Sequence, residues 1–584
     1  MEGTENGENI MLVSSITPHG GRAIGISPIT ALVGPNNAGK TAFLQDILQL
    51  LTFQYQAEQE GSTDSSQEIE TLVVDDMELN PDLNKDDMLS GLRLIEEPGL
   101  DSALQGMGPD GCSGLRVAVT PDTFKVLHRP RLAARAVARS ELARMLPLRV
   151  AMLSLENRLV ATKSDLAGSP LETPANLLQL LHLAGRQVQE RLNDACQFIF
   201  EGDPIWLDDS EIVKLSLRTG PKPTELPEDL ASRASVIGQH RLLDDDGHGL
   251  RSCVAIILNL LLGQGRLILL DQPELFLHPA QAMRFGRWIA RNIEDLQCQV
   301  VLSTHSSDFL TGVATHDASQ LSILRLSRDE EHTVATTIES MMFEPIVETA
   351  CSRHDLMQSL FGCGVVLVDN NDDYRIAKHL THRHLGQSQV AVCQCQDQSI
   401  MGQVAGMLRR ARLPTVVCTR FDLLAKKTRF TRFVEDITNK DFATSWLGVR
   451  EKVARQMEQP VDAQAMASNT REMEQFLDGF NGGNDVSTTL PELGQNTRWY
   501  EFSRLGLDLL PDDLQAWVNQ MVEELKVQGI FIAPRGTLSS WWEAETAIQP
   551  INRQLAQLDE GNCPPELREF VTNMNDYLVV QRSM

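Results

Sequence analysis

Gly34-Pro35-Asn36-Asn37-Ala38-Gly39-Lys40-Thr41 has the spacing G-x-x-x-x-G-K-[S/T], the pattern by which a backbone cradles a polyphosphate. Glycines let successive N–H groups curl toward the phosphates, and a helix opening at the lysine adds the partial positive charge of its N-terminus. In such a loop Asn36, Asn37 and Gly39 shape the cradle. Lys40 reaches the β- and γ-phosphates, and the Thr41 hydroxyl faces Mg²⁺. The flanks agree, since Ile29 to Val33 reads as an apolar strand and Ala42 to Leu48 as a helix. The chain is expected to bind ATP with Mg²⁺.

A second group of chemistry-bearing residues lies far along the chain. Leu267-Ile268-Leu269-Leu270-Asp271 is an apolar strand ending in a carboxylate, the way a strand delivers an acid to Mg²⁺ beside bound phosphates. Gln272 and Glu274 follow it. Another apolar strand, Val300-Val301-Leu302, ends in Ser303-Thr304-His305-Ser306. A histidine there falls at the carboxyl edge of a parallel sheet, where such sheets bind ligands, and His305 is read as a γ-phosphate sensor. Upstream, Gly247, Gly249 and Ser252 open the helical run Cys253 to Leu262, and a glycine-rich helix start suits an anion.

Positioning these residues requires an α/β fold. The pattern divides into 1–128, the first half of a nucleotide-binding domain with an acidic insertion, and 129–243, a helical insertion or arm with a dimerisation role. The second half of the domain, 244–345, and a further α/β region, 346–584, complete the chain. Arg129, Arg131, Arg135, Arg139 and Arg144 crowd one broad helix face, as a solvated surface or a phosphate contact.

The balance of 52 basic against 79 acidic residues in 584, a formal charge of −27, argues against a surface coated for nonspecific nucleic-acid binding. Ten cysteines show no metal-ligand spacing and read as reduced thiols. The acidic N-terminus is no signal peptide, and no apolar run is long enough to cross a bilayer. The expectation is a soluble, cytoplasmic protein with no membrane partner.

The order phosphate loop, insertion, glycine-rich helix start, strand-Asp, strand-His resembles the ATP-binding-cassette ATPases, in the SMC-like branch containing the OLD family. There "D-E-P-E-x-x-L-H-P" and "S-T-H-S" recur; here they read Asp271-Gln272-Pro273-Glu274-Leu275-Phe276-Leu277-His278-Pro279 and Ser303-Thr304-His305-Ser306. The resemblance covers roughly the first 330 residues apart from insertions. It implies an ABC-type P-loop head and a homodimer or higher even oligomer. In that assembly Gly247 to Ser252 touches the γ-phosphate held by the second subunit. Gln272 stands where the family has the glutamate that polarises water. An amide cannot take a proton, so binding and closure should survive while turnover falls, with Glu274 a partial substitute.

OLD proteins carry a Toprim domain after the ATPase, where acids hold metal ions for DNA cleavage. Residues 346–584 resemble it with departures. Asp369 replaces a glutamate, Asp373 and Asp422 match, Arg420 stands for an aspartate, and Ser539 for a glutamate. Asp369, Asp373 and Asp422 would be the metal ligands. A guanidinium among them repels divalent ions and can pair with Asp422 or Asp369. Three readings follow. One is an ATP-gated dimeric scaffold or sensor of an OLD-like antiviral defence system, with a separate effector protein. Another is an active metal-requiring DNA endonuclease, and the third an SMC-like DNA-maintenance ATPase.

Overall fold

The computed structural model describes residues 10–59, 71–95, 102–119, 144–168, 174–210, 213–225, 227–315, 318–329, 332–338, 351–385, 390–458, 498–499, 502, 506–534, 536–542, 551–559 and 561–583. The chain divides into two compact units, Met1–Phe343 and Glu344–Met584. Arg129, Arg131, Arg135 and Arg139 lie outside the described residues.

In the first unit, β1 (Val13–Pro18), β2 (Ile29–Val33) and α1 (Lys40–Gln59) come first, then β3 (Val74–Leu79), β4 (Val150–Leu153) and α2 (Leu155–Ala161). After them come α3 (His248–Leu261), β5 (Leu267–Asp271), α4 (Pro279–Leu296), β6 (Gln299–Ser303), β7 (Leu321–Asp329) and β8 (His332–Ile338). The main sheet runs β8-β7-β2-β6-β5-β4. Its strands are parallel except β8, which returns antiparallel beside β7. Every residue of β2 and β6 is buried, and uninterrupted apolar runs are what a sheet covered on both faces demands. Phe43, Leu44 and Ile47 of α1 join Leu267, Leu269 and Val301 in one core.

Local chemistry sets the helix starts. His278 caps α4 in a reciprocal box with Gln281, and Pro279 takes the first-turn position, where its missing N–H costs nothing. Ser154 accepts from Asn157 N to open α2. A separate antiparallel sheet of β1, β3 and Ile24–Gly25 is tied to the main sheet by Gln299. Its Oε1 accepts from Leu12 and Val13 N–H at 3.1 and 3.0 Å, and its Nε2 donates to Val13 O at 2.8 Å.

Segment 129–243, expected as a helical insertion, is more mixed than its leucine-rich periodicity suggested. β4 is a strand of the main sheet. Ile205–Asp208, Lys214–Thr219 and Arg241–Leu242, with Asp165–Leu166, form an antiparallel sheet of their own. Strands of two to six residues, the longer ones buried along most of their length, leave little trace beside Leu177–Ala184 and Arg186–Phe200, the helices that carried the signal.

The second unit holds β9 (Gly364–Val368), α5 (Asn371–Leu385), β10 (Val390–Gln394), α6 (Gln398–Arg410), β11 (Thr415–Thr419) and β12 (Ile530–Ile532). Its parallel sheet has the order β10-β9-β11-β12. Val366, Val368, Val416 and Phe531 pack with Phe570 and Met574 of the C-terminal helix. All ten cysteines are free thiols. Among the described residues no helix is long and apolar enough to cross a membrane.

Candidate functional site

The strand order brings three loops to one edge. β6 lies between β2 and β5, in a register that sets Ser303 beside both Asp271 and Leu32. The phosphate loop after β2, Asp271 at the end of β5, and Ser303 to His305 at the end of β6 therefore converge at the carboxyl side of the sheet.

The loop holds its shape through glycines at two demanding positions. Gly34 has φ +136°, and a Cβ there would lie 2.1 Å from Leu326 O; Gly39 has φ +88°, with Thr333 Oγ1 2.8 Å from that point. Neither tolerates a side chain. Asn37 also takes a positive φ of 63°, which asparagine accepts more readily than most residues. Lys40 opens α1, and its Nζ donates to Gly34 O and Pro35 O at 2.7 and 2.8 Å. Burial lowers the Lys40 pKa to about 8, partly offset by Asp271 and Glu274. Taking the ammonium out of water is costly, and an incoming phosphate would offset that cost.

Thr41 Oγ1 donates to Asp271, 3.1 Å from Oδ2 and 3.2 Å from Oδ1, and Ser303 Oγ donates to Asp271 Oδ1 at 2.5 Å. These hard oxygen donors fit Mg²⁺. Gln272 sits at φ +50°; its N–H donates to Ser303 O and Oγ, and its side-chain amide makes no hydrogen bond to the described residues. Glu274 Oε1 accepts from Thr304 Oγ1 at 2.8 Å and from His305 N at 2.9 Å. Burial raises its pKa, and its Oε2 is buried without a partner. His305 keeps part of its surface exposed; partial burial of its ring and then the Lys40 charge lower its pKa.

At α3, Gly247 is the N-cap and is exposed with His248, whereas Gly249 and Ser252 are buried. A Cβ at Gly249 would lie 2.6 Å from Phe276 O, so this glycine permits the turn after β5 to press on α3. Ser252 corrects the sequence expectation. Fully buried, with Oγ unpartnered, it is no surface contact for a second subunit. One helical turn carries it from the exposed end onto the core-facing side.

Sequence reasoning missed two features. Arg158 of α2 is fully buried and donates from Nη2 to Asp271 O at 3.0 Å and from Nη1 to Gln272 O at 3.2 Å, locking the strand end that presents both residues. The other is an imidazole pair. His19 Nδ1 lies 2.6 Å from Asp75 Oδ1, and the His19 and His332 ring centroids are 5.2 Å apart. Val73, whose carbonyl accepts from His19 N–H, and Thr333 both flank Gly39, so the rings stand beside the phosphate loop. Strand pairing across the whole unit makes this contact, and no local pattern announces it.

In the second unit Asp369 follows β9, Asp373 lies in the first turn of α5, and Arg420 and Asp422 follow β11. The carboxylates do converge, but around protein donors. Arg420 Nε donates to Asp369 Oδ2 at 2.9 Å, and its Nη2 lies 3.6 Å from Asp422 Oδ2. Gln398 Nε2 donates to Asp422 Oδ1 at 2.8 Å, and Asn370 Nδ2 to Asp373 Oδ2 at 2.7 Å. Asp373 Oδ1 accepts from Leu538 N at 2.7 Å. Burial, then the neighbouring Asp369, raises the Asp373 pKa to about 7. Among the described residues no group of three Asp, Glu, His or Cys side chains is disposed to hold a metal ion, so the metal assignment to Asp369, Asp373 and Asp422 finds no open site. Ser539 is buried and its hydroxyl bonds Thr537 Oγ1 at 2.8 Å.

The family match falls within the first unit. Residues 169–311 match the family described as "AAA domain, putative AbiEii toxin, Type IV TA system", a span well short of half the chain. No curated protein matches. Among solved structures, an SMC head bound to the C-terminal winged-helix domain of ScpA is similar at 15% identity. It covers 57% of this chain and 99% of that one, with TM-score 0.34. The SMC head domain from Thermotoga maritima is 14% identical over 56% of this chain and 100% of that one, TM-score 0.27. A head with an extended coiled coil, bound to the C-terminal domain of ScpA from Pyrococcus furiosus, is 12% identical over 58% and 99%, TM-score 0.32. In the first unit a strand, a glycine-rich loop with Lys40, a helix and a strand-end carboxylate meet in one mixed α/β sheet, and residues 169–311 of that unit are similar to the AAA domain family.

Proposed function

We propose that the chain is an ATP-binding, slowly hydrolysing ATPase that closes against a second copy of itself. The observation that carries this reading is the meeting of Thr41, Asp271 and Ser303 beneath the loop that holds Lys40. Thr41 and Asp271 would hold Mg²⁺, which when bound neutralises charge on the β- and γ-phosphates. Asn36, Asn37 and Gly39 cradle the phosphates with backbone N–H groups, and Lys40 turns from the Gly34 and Pro35 carbonyls to the phosphate oxygens. The nucleotide's base lies against His19 and His332. Gln272 holds the attacking water by hydrogen bonding and takes no proton, so hydrolysis is slow. Glu274 keeps His305 at the γ-phosphate through Thr304 and the His305 N–H, which makes it a positioning residue.

The exposed start of α3, Gly247 and His248, meets the nucleotide bound by the second copy. The second unit serves as a scaffold or sensor in an antiviral defence system of OLD-like type, with cleavage left to a separate effector. The match to a family named for a putative toxin of a toxin–antitoxin system is in keeping with a defence role. An active DNA endonuclease is the second reading, favoured by the convergence of Asp369, Asp373 and Asp422 at one sheet edge.

Equilibrium binding of ATP with Mg²⁺ to the full chain tests the core of the proposal. Wild type is expected to bind and Lys40→Ala to lose binding; unchanged affinity in Lys40→Ala would refute the site. Incubating plasmid DNA with Mn²⁺ and ATP separates the two readings of the second unit, since nicking that disappears in Asp373→Ala would establish the nuclease.

A further inference from the structure

Away from the nucleotide site, the first unit holds a half-open cavity of about 310 Å³. It lies between the small antiparallel sheet containing Arg93–Ile95 and Ala103–Met107, the helix Leu177–Ala184, and the turn joining α3 to β5. Leu92, Met107 and Leu183 supply much of its apolar lining, and Arg93, Arg149 and Arg266 supply charge. Among the described residues none that lines it is acidic, in a chain where acids outnumber bases 79 to 52.

Two of these arginines are buried and make no ion pair with a described residue. Arg149 is wholly inaccessible. Its Nε donates to Met88 O at 2.9 Å, Nη1 to Ser90 O and Gln264 O at 2.7 and 3.1 Å, and Nη2 to Met88 O. Arg266 Nη2 donates to Gly108 O and Val150 O, each at 2.8 Å, and its Nε has no partner. Neither guanidinium makes an ion pair with a described residue, although Asp87 and Asp110 lie close enough to act on them electrostatically. Burial lowers the pKa to about 9 for Arg149, with the Arg266 charge adding to the effect, and to about 10 for Arg266. Both therefore stay charged at neutral pH. A buried charge held by carbonyl oxygens, with its nearest described carboxylates beyond ion-pair distance, is costly unless a closer counter-charge arrives. A guanidinium offers forked donors suited to a carboxylate, sulfonate or phosphate.

We propose that this cavity binds a small organic anion whose acidic group meets Arg266 and the Arg93 rim and whose apolar body lies on Leu92, Met107 and Leu183. The inference is independent of the nucleotide site.

The probe is 8-anilinonaphthalene-1-sulfonate, with uncharged N-phenyl-1-naphthylamine as its neutral twin, titrated into the full chain and followed by fluorescence and calorimetry. One saturable sulfonate site is expected, at least ~10-fold tighter than for the neutral twin, since a desolvated charge pair outweighs the shared apolar contact. Arg266→Met is expected to remove most of that preference. Because that variant also loses two structural hydrogen bonds, Leu183→Trp provides a second test. Leu183 is 45% exposed, and the larger ring fills the mouth without disturbing the core. Circular dichroism monitors folding in both. Lys40→Ala should bind the probe like wild type. Equal affinity for both probes, no saturable site, or undiminished sulfonate binding by folded Leu183→Trp overturns the proposal.

Discussion

Arg420 donates Nε–H to Asp369 Oδ2 at 2.9 Å although 51 residues separate them, and with this one contact a guanidinium takes the place at the sheet edge that a cation would need. Burial works against the Arg420 charge, but Asp369 and Asp422 outweigh it and hold its pKa above the ordinary value. Removing the guanidinium as Arg420→Ala leaves three carboxylates facing one another. Destabilisation of roughly 2–4 kcal/mol is expected at about pH 8. Millimolar Mn²⁺ should raise the melting temperature of this variant and leave wild type unchanged. An equal rise in wild type, measured by thermal unfolding, would mean that an open metal site exists beside Arg420.

Lys40 predicts the pH dependence of nucleotide binding. Its folded-state pKa is about 8, and phosphate binds the protonated form. ATP affinity should thus be flat below about pH 7.5 and fall toward ~tenfold per unit well above pH 8, with net proton uptake on binding. Calorimetry in two buffers of different ionisation heat reads that uptake directly. Glu274→Gln keeps an acceptor for Thr304 and His305 while removing a charge that supports the ammonium, so the midpoint should move down. A midpoint unmoved, or moved up, contradicts the assignment.

Gln272→Glu should speed steady-state phosphate release by ~10²-fold or more, because a carboxylate can accept the proton that an amide cannot. ATP affinity should change little. If release stays at the wild-type rate with ATP bound, another group acts as the base and Gln272 is only a spacer.

Closure of two copies should depend on the exposed start of α3. The His248 ring is tilted 47° to that of Phe276 with centroids 5.7 Å apart, and Phe276 is 62% exposed at φ +65°, an apolar side chain held outward near the exposed Gly247. Sedimentation with ATP and Mg²⁺ is expected to show a dimer for wild type and monomers for Phe276→Asp, both binding ATP equally. A monomeric wild type under those conditions removes the paired-site arrangement.

His19→Ala tests base recognition. Stacking against a purine contributes ~1–2 kcal/mol, so ATP affinity should drop roughly 5- to 30-fold, while inorganic tripolyphosphate affinity stays the same. Parallel losses for both ligands would show that His19 shapes the loop rather than meeting the base.

Sequence spacing alone determined the phosphate loop, the strand ending in Asp271 and the strand leading to His305, because each is a short segment whose backbone needs dictate its residues. Gly34 and Gly39 are legible for this reason, since only glycine fits beside Leu326 and Thr333. The departures at Gln272 and Arg420 were legible too, as a neutral amide and a guanidinium where the resembled family has carboxylates. Tertiary structure decided what depends on partners distant in the chain. It turned Ser252 inward, set Glu274 to hold His305, ran Arg158 under the end of β5, and paired His19 with His332 across the sheets. It also gathered Arg149 and Arg266 around one cavity. Side-chain direction on a helix and contact across strand pairings follow from packing the whole core at once, and no local window of residues carries that information.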